Sequence, residues 1–341
     1  MSEARRSPYL ISPAYDWAFF LLPPLVSLLL GIALSRTALS QHRFTIAEQE
    51  QTGTRFVIGI LIHAHLVAAL LRSHGNPAIR RLHPLRFFVV PLLLFAAIRS
   101  SAWIALTATV VAVWWDVWHS GAQTFGFGRI YDRNAGNPPD VGRRLDYWLN
   151  HLLYAGPILG GVTLVDHLVQ LEGYQELGTL LFTQVPIYAA SWRRSLAIAT
   201  LILGTLFLIY YVASYLRLWR RGYRVSPLKI FLFVSTGACS IYTWGFNSWG
   251  EAFFIMNLFH AVQYLALVWA SEGRRLASWL GLLGRYRAVV LALYLLLLLL
   301  YGLGAELVDL KHATLWSITM VVALLHFWYD GFIWSVAKKQ I

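Results

Sequence analysis

The sequence predicts an all-α, polytopic integral membrane bundle of about ten transmembrane helices with both termini cytoplasmic. Three observations predict it. Of the 341 residues, 58% are hydrophobic and 13% charged, where soluble domains run at roughly 45–50% and about 25%. The apolar residues gather in runs long enough to cross a bilayer, which takes about 20 residues with a range of roughly 17–25. The basic residues stand between those runs. In a ten-span arrangement, 21 of the 28 Lys and Arg fall on the side of the N-terminus and 7 on the other, the asymmetry of loops retained in the cytoplasm.

The expected spans run over residues 14–35, 56–71, 86–98, 101–119, 147–169, 195–216, 230–246, 251–270, 288–304 and 314–336. The first is too long for a signal-peptide core and is kinked by Pro23 and Pro24. The third is short, carries Pro91, and reads as half of a tight hairpin with the fourth, joined at Arg99-Ser100. Residues 177–192, with Pro186 inside and Arg193 and Arg194 behind, read as interfacial or re-entrant. A full span there would move the later basic loops to the far side of the membrane. The segments 36–54 and 120–146 read as polar loops, the second including the glycine-bearing run "FGFGRIYDR". No internal repeat or long linker interrupts the chain, so residues 1–341 read as one transmembrane domain. The expected location is a bacterial-type inner (plasma) membrane, with the lipid bilayer as first partner.

Composition also excludes function classes. The single cysteine, Cys239, rules out an internal disulfide and, with no thiolate companion, an iron–sulfur or cysteine-zinc site. A net charge of +12 in a soluble protein would suggest nucleic acid; here it reads as membrane orientation, and no nucleic-acid partner is expected. P-loop, Rossmann and nucleophile-elbow motifs are absent.

Ionisable groups inside spans are costly and so mark candidate function. The second span holds "LIHAHLV", with His63 and His65 two residues apart and therefore about 200° around the helix. Only one can face a small site, and His63 is the preferred one. The fourth span ends "WWDVWHSGAQ", where Asp116, His119 and Gln123 share a face. Asp116 beside His119 has the form of a carboxylate orienting a metal-bound imidazole. The fifth opens with Asp146, Asn150 and His151, which reads equally well as a helix-start cluster. The eighth carries Asn257, His260 and Tyr264 on one stripe, and the tenth carries His326 and Asp330 at i,i+4. His42, His74, His83 and His312 fall in loops or at span edges and read as solvated. At about 1.5 Å per residue, His260 and His326 lie roughly 15 Å, His63 roughly 12 Å and Asp330 roughly 9 Å from the inner boundary, with Asp116, His119 and His151 within about 6 Å. Helices read independently thus place imidazoles and carboxyl groups in one half of the membrane.

Imidazole with carboxylate is a donor set for iron, and two histidines plus one carboxylate with open positions is the pattern of non-haem Fe(II) oxygenases. The expected ligands are His63, His65, His119, His151, His260, His326 and Asp330, holding one or two Fe(II), with Asp116, Gln123 and Tyr264 as catalytic candidates. Zinc and haem rank behind iron. The function expected is a membrane-embedded oxygenase that uses O2, and an electron donor if the chemistry requires one, on a lipophilic carotenoid or lipid-like substrate. The alternative is a proton- or metal-coupled transporter built on the buried His/Asp pairs.

In His119 of "WHSGAQ", His260 of "FHAVQY", His326 with Asp330 of "LHFWYDGF", and His63 as the early-span histidine, the chain resembles the Brp/Blh-type bacterial β-carotene dioxygenases. It also resembles an uncharacterised family of bacterial polytopic membrane proteins ending in a His-x-x-x-Asp-Gly-x-Ile-Trp helix. The first resemblance implies an all-helical membrane protein with about four histidines on different spans, iron bound by them, and cleavage of carotenoid to retinal.

Overall fold

The computed structural model describes residues 7–282, 286–308 and 312–334. Arg5, Arg6, Arg285, Asp309, Lys311, Lys338, Lys339 and the last two residues of the expected span 314–336 lie outside the described residues.

The chain is helical almost throughout. Helix α1 (Pro13–Asp16) runs into a π-helical turn (Trp17–Leu21) and then α2 (Pro23–Leu34), bent by 46° where Pro23 and Pro24 remove backbone donors. Next come α3 (Ala38–Gln41) and a small hairpin of β1 (Arg43–Ile46) and β2 (Gln49–Thr52), paired antiparallel with Arg43 opposite Thr52. This hairpin occupies the segment expected to be a loop, and its turn places Ala47 and Glu48 at positive φ. Helices α4 (Gly53–Ser73), α5 (Pro77–Leu82) and α6 (Pro84–Ser100) follow, then α7 (Ala102–Asn134). The axis turns by 119° between α6 and α7 at the extended residue Ser101, the sharp reversal the sequence implies at that point. Helix α8 (Arg143–Gly160) breaks by 101° into α9 (Leu164–Leu168) and a 3-10 turn (Val169–Gln175). A Cβ on Gly161 at this break would collide with backbone of Trp244 and Gly245. The chain ends with α10 (Leu180–Arg220), α11 (Pro227–Phe246), α12 (Trp249–Trp279), α13 (Arg287–Glu306) and α14 (Ala313–Ile333).

Three expectations are corrected here. "FGFGRIYDR" is not a loop: α7 continues through it, and only residues 135–142 connect to α8. Glycine inside a helix costs only about 1 kcal/mol relative to alanine. Gly128 is where the Phe233 ring lies against the backbone, space that a Cβ would take. Residues 177–192 are not a separate re-entrant piece either. From Leu180 they form one 41-residue helix with the expected span 195–216. Arg193 and Arg194 are good helix formers, so this charge pair does not stop the helix. At about 60 Å, α10 is twice as long as the hydrocarbon core of a bilayer, about 30 Å.

Five helices, α4, α10, α12, α13 and α14, are individually long and apolar enough to cross a membrane, and eight such spans result if each bent pair counts as one. Two differences separate eight from ten. The α6/α7 reversal is a single bent pair, and α11 falls below the hydropathy of the others because Lys229, Ser235, Thr236, Ser240 and Thr243 lie along it. Long apolar helices with large exposed side chains, such as Leu201 and Leu203 on α10 and Leu297 on α13, are consistent with a multi-pass membrane protein.

The helices divide into two compact units, each assembled from separated stretches of sequence. The first takes the chain up to Ile32 with Trp114–Met256; the second takes Ala33–Val113 with the chain from Asn257 onward. No linker precedes either division, which is why the sequence reads as undivided.

In the first unit, α8 packs on α10 and α11, and a buried ion cluster joins all of these to α7. Lys229 Nζ lies 2.6 Å from Asp132 Oδ2 and 3.3 Å from Asp146 Oδ2. Arg129 Nη1 reaches the same two carboxylates at 2.9 and 2.7 Å. Tyr211 and Tyr215 donate to Asp146 Oδ1 at 2.9 and 2.7 Å, and Tyr223 donates to Asp132. Two cations thus meet two carboxylates with no net charge, the condition under which a buried cluster is tolerable.

In the second unit, α4 packs on α13 and α14, and α14 on α6. Gly302 brings α13 so close to α4 that a Cβ there would overlap the Ile60 carbonyl. Small residues at such a point let membrane helices approach. Gly302→Ala is expected to lower stability in detergent by about 1–3 kcal/mol through overpacking. Gly304→Ala, whose Cβ meets nothing within 4 Å, should be neutral. Denaturant midpoints of the two variants test this directly.

Candidate metal centre

Three buried histidines of the second unit converge from three helices. His65 comes from the middle of α4, His260 from α12 and His326 from α14. One nitrogen of each lies within 4.8 Å of the corresponding nitrogens of the other two. The His65 ring stands edge-on to His260 and to His326, with centroids 5.1 and 5.0 Å apart. Neither nitrogen of His65 makes a hydrogen bond of ordinary geometry among the described residues. An imidazole buried in that condition is costly. A cation bonded to three imidazoles at about 2.1 Å holds the donor atoms roughly 3–3.5 Å apart, so closing the cluster on an ion takes about an ångström of side-chain motion.

The surroundings orient the ring of His326. Its Nδ1 lies 3.2 Å from the Leu66 carbonyl, an acceptor, so Nδ1 carries the proton and Nε2 presents its lone pair. Asp330, one turn on, sits with Oδ2 3.9 Å from that Nε2. Its Oδ1 accepts from Tyr264 OH at 2.8 Å and from Trp334 Nε1 at 2.9 Å. Tyr264 in turn packs on the rings of His326 and His65, at 4.5 and 5.9 Å. The i,i+4 spacings on α12 and α14 produce this: His260 with Tyr264, and His326 with Asp330, each project from one helix face.

The same three helices are tied together by a second buried group. Glu272 on α12 takes Arg72 Nη1 of α4 at 2.5 Å and Arg275 at 2.7 Å, and accepts from Asn76 at 3.0 Å. The Arg72 guanidinium lies 4.7 Å over the Trp334 ring and approaches the Ile333 carbonyl at the end of α14. The polar lock holds α4, α12 and α14 in register, and that register sets the spacing of the three histidines.

His63 does not join the cluster. It lies on the opposite side of α4, half-buried, with Nε2 3.6 Å from Glu306 Oε2 of α13. The expectation preferred His63; the helix turns His65 inward instead, because α4 buries that face and gives the His63 face to α13. Gly59, one turn before His63, leaves the space that the Glu306 carboxylate fills. His74 is not simply solvated: it is half-buried, with Nε2 2.8 Å from the Phe87 carbonyl and Nδ1 2.9 Å from Ser73 Oγ.

Asp116, His119, Gln123 and His151 belong to the first unit. His119 is buried, and Asp116 and Gln123 are half-buried. Asp116 makes no hydrogen bond or ion pair among the described residues, so the expected Asp116–His119 link is not formed. His151 stacks on Trp118 at 5.7 Å and meets Tyr147 edge-on at 4.3 Å. Asp146, beside it in sequence, serves the ion cluster rather than a helix cap.

Sequence reasoning missed Glu306 as the partner of His63, and it missed Glu272, whose signal was an acid inside the apolar run "LVWASEG". The Leu66 carbonyl had no sequence signal, since backbone acceptors are the same at every residue.

No protein-family model, no curated protein and no solved structure matches this chain.

Proposed function

We propose that the protein is a membrane-embedded, histidine-ligated non-haem iron oxygenase acting on a lipophilic substrate, with His65, His260 and His326 as the metal ligands. The observation that carries the reading is the convergence of three buried imidazole nitrogens within 4.8 Å of one another. The donor set fits the group: three neutral nitrogen donors leave coordination positions open for O2 and substrate. Iron bound there supplies activation of O2. The remaining chemistry falls to the chain. His326 keeps its Nδ1 proton on the Leu66 carbonyl and offers Nε2 to the metal. Asp330 and Tyr264 form a hydrogen-bonded pair that positions the His326 ring and can hold a proton beside it. The surrounding spans exclude bulk water, so a substrate reaching this depth must partition into hydrocarbon. Placement in a bacterial-type inner membrane with cytoplasmic termini belongs to the same proposal, supported by the 21:7 distribution of basic residues.

Elemental analysis of detergent-purified full-length protein tests the reading. About one Fe per chain is expected, together with O2 uptake that depends on an added long-chain polyene or lipid. Protein that retains its helical fold and takes up no transition metal overturns the proposal. Metal binding without substrate-dependent O2 uptake overturns its oxygenase half.

A further inference from the structure

The first unit carries a groove of about 760 Å3 between α8, α10 and α11, unrelated in its residues to the three-histidine cluster. Its body is apolar: Leu153 of α8, Leu208 and Val212 of α10, and Val234 and Ile241 of α11. One end is formed by Leu216, Trp219 and Val225. From Leu208 to Trp219 the groove follows α10 for about 16 Å, close to the thickness of one leaflet of hydrocarbon, half of about 30 Å. Its volume falls in the range of built ligand sites, roughly 300–1,000 Å3.

Charge identifies the occupant. Lys229, Tyr211 and Tyr215 reach the groove wall, but Lys229 and Arg129 are matched there by Asp132 and Asp146, so the wall carries no net charge. The end at Trp219 and Val225 differs. Arg217, Arg220, Arg221 and Arg224 follow it, Arg143 and Arg144 begin α8, and all six are exposed. The connecting segments 135–142 and 221–226 add one exposed acid, Asp140. An apolar channel one leaflet long that ends in six guanidinium groups is complementary to a lipid with an anionic phosphate headgroup. Guanidinium binds phosphate in bidentate fashion, and basic pockets between membrane helices favour anionic headgroups.

We propose that this groove is a binding site for an anionic phospholipid, with one acyl chain between α8, α10 and α11 and its phosphate among Arg217, Arg220, Arg221 and Arg224. The test uses full-length protein, delipidated in detergent and mixed with equal amounts of phosphatidylglycerol and phosphatidylcholine of the same chain length. Native mass spectrometry reads the bound ratio. Phosphatidylglycerol is expected to be retained in roughly ten-fold excess. Arg220→Gln/Arg221→Gln/Arg224→Gln should bring the ratio near unity. Arg99→Gln/Arg193→Gln/Arg194→Gln, which alters three exposed arginines away from the groove, should leave it unchanged. Val234→Trp, at an exposed position inside the groove, should displace both lipids. Equal retention of the two lipids by the wild type, an unchanged preference in the first triple variant, or undiminished binding by Val234→Trp would each overturn the assignment.

Discussion

Lys229→Met is expected to destabilise the protein by about 3–5 kcal/mol, the cost of removing one partner from a buried ion cluster. The side chain of Lys229 is 2% exposed and those of Asp132 and Asp146 are fully buried. With the ammonium gone, two carboxylates face Arg129 alone, and a negative charge is left in a medium that solvates it poorly. The loss also leaves Tyr215 without the ammonium that donates to its hydroxyl at 2.9 Å. Adding Asp132→Asn to Lys229→Met restores neutrality and should recover part of the loss, giving a coupling energy that the two single variants do not predict. Arg43→Ala, which breaks the exposed Arg43–Glu50 pair with side chains 73% and 64% accessible, should cost no more than about 1 kcal/mol, because water and salt screen it. Equilibrium unfolding in detergent compares the four proteins. A Lys229→Met variant as stable as Arg43→Ala would show that the cluster does not hold α7, α8 and α11 together.

His65→Ala, His260→Ala and His326→Ala are each expected to lose the bound metal, at least ten-fold in retained iron after gel filtration. His63→Ala should keep it. The contrast between His63 and His65 is the sharpest part of this expectation: they are two residues apart, of one type, on one helix, and differ only in the face they occupy. Asp330→Asn removes the charge that accepts from Tyr264 and Trp334 and leaves all three imidazoles in place. It should weaken metal binding by about 10–100-fold, as loss of an orienting partner does. His74→Ala, outside the cluster, serves as the control for handling. Loss of metal from His63→Ala equal to that from His65→Ala would remove the assignment of ligands.

Several features were legible because they are periodic or compositional. Membrane-length apolar helices follow from hydropathy, and the kink at Pro23 and the reversal at Ser101 follow from local backbone chemistry. The pairing of His326 with Asp330 and of His260 with Tyr264 on common faces follows from 3.6 residues per turn. Other features were hidden because they depend on neighbours distant in sequence. Arg129 and Asp132 lie in the glycine-bearing run that reads as a loop, and only packing against Phe233 and Lys229 explains why it stays helical. Glu306 reads as a loop acid until α13 is laid against Gly59 of α4.

The sequence by itself determined an apolar helical chain with histidines and carboxyl groups inside its spans, because hydrophobic run length and helical period are local properties. The tertiary structure alone decided that His65 rather than His63 meets His260 and His326, and that Asp146 pairs with Lys229 and Arg129 instead of capping α8. Both outcomes turn on which face of a helix is covered and by what, and that depends on packing between segments up to 260 residues apart, as in the bond from His326 to Leu66.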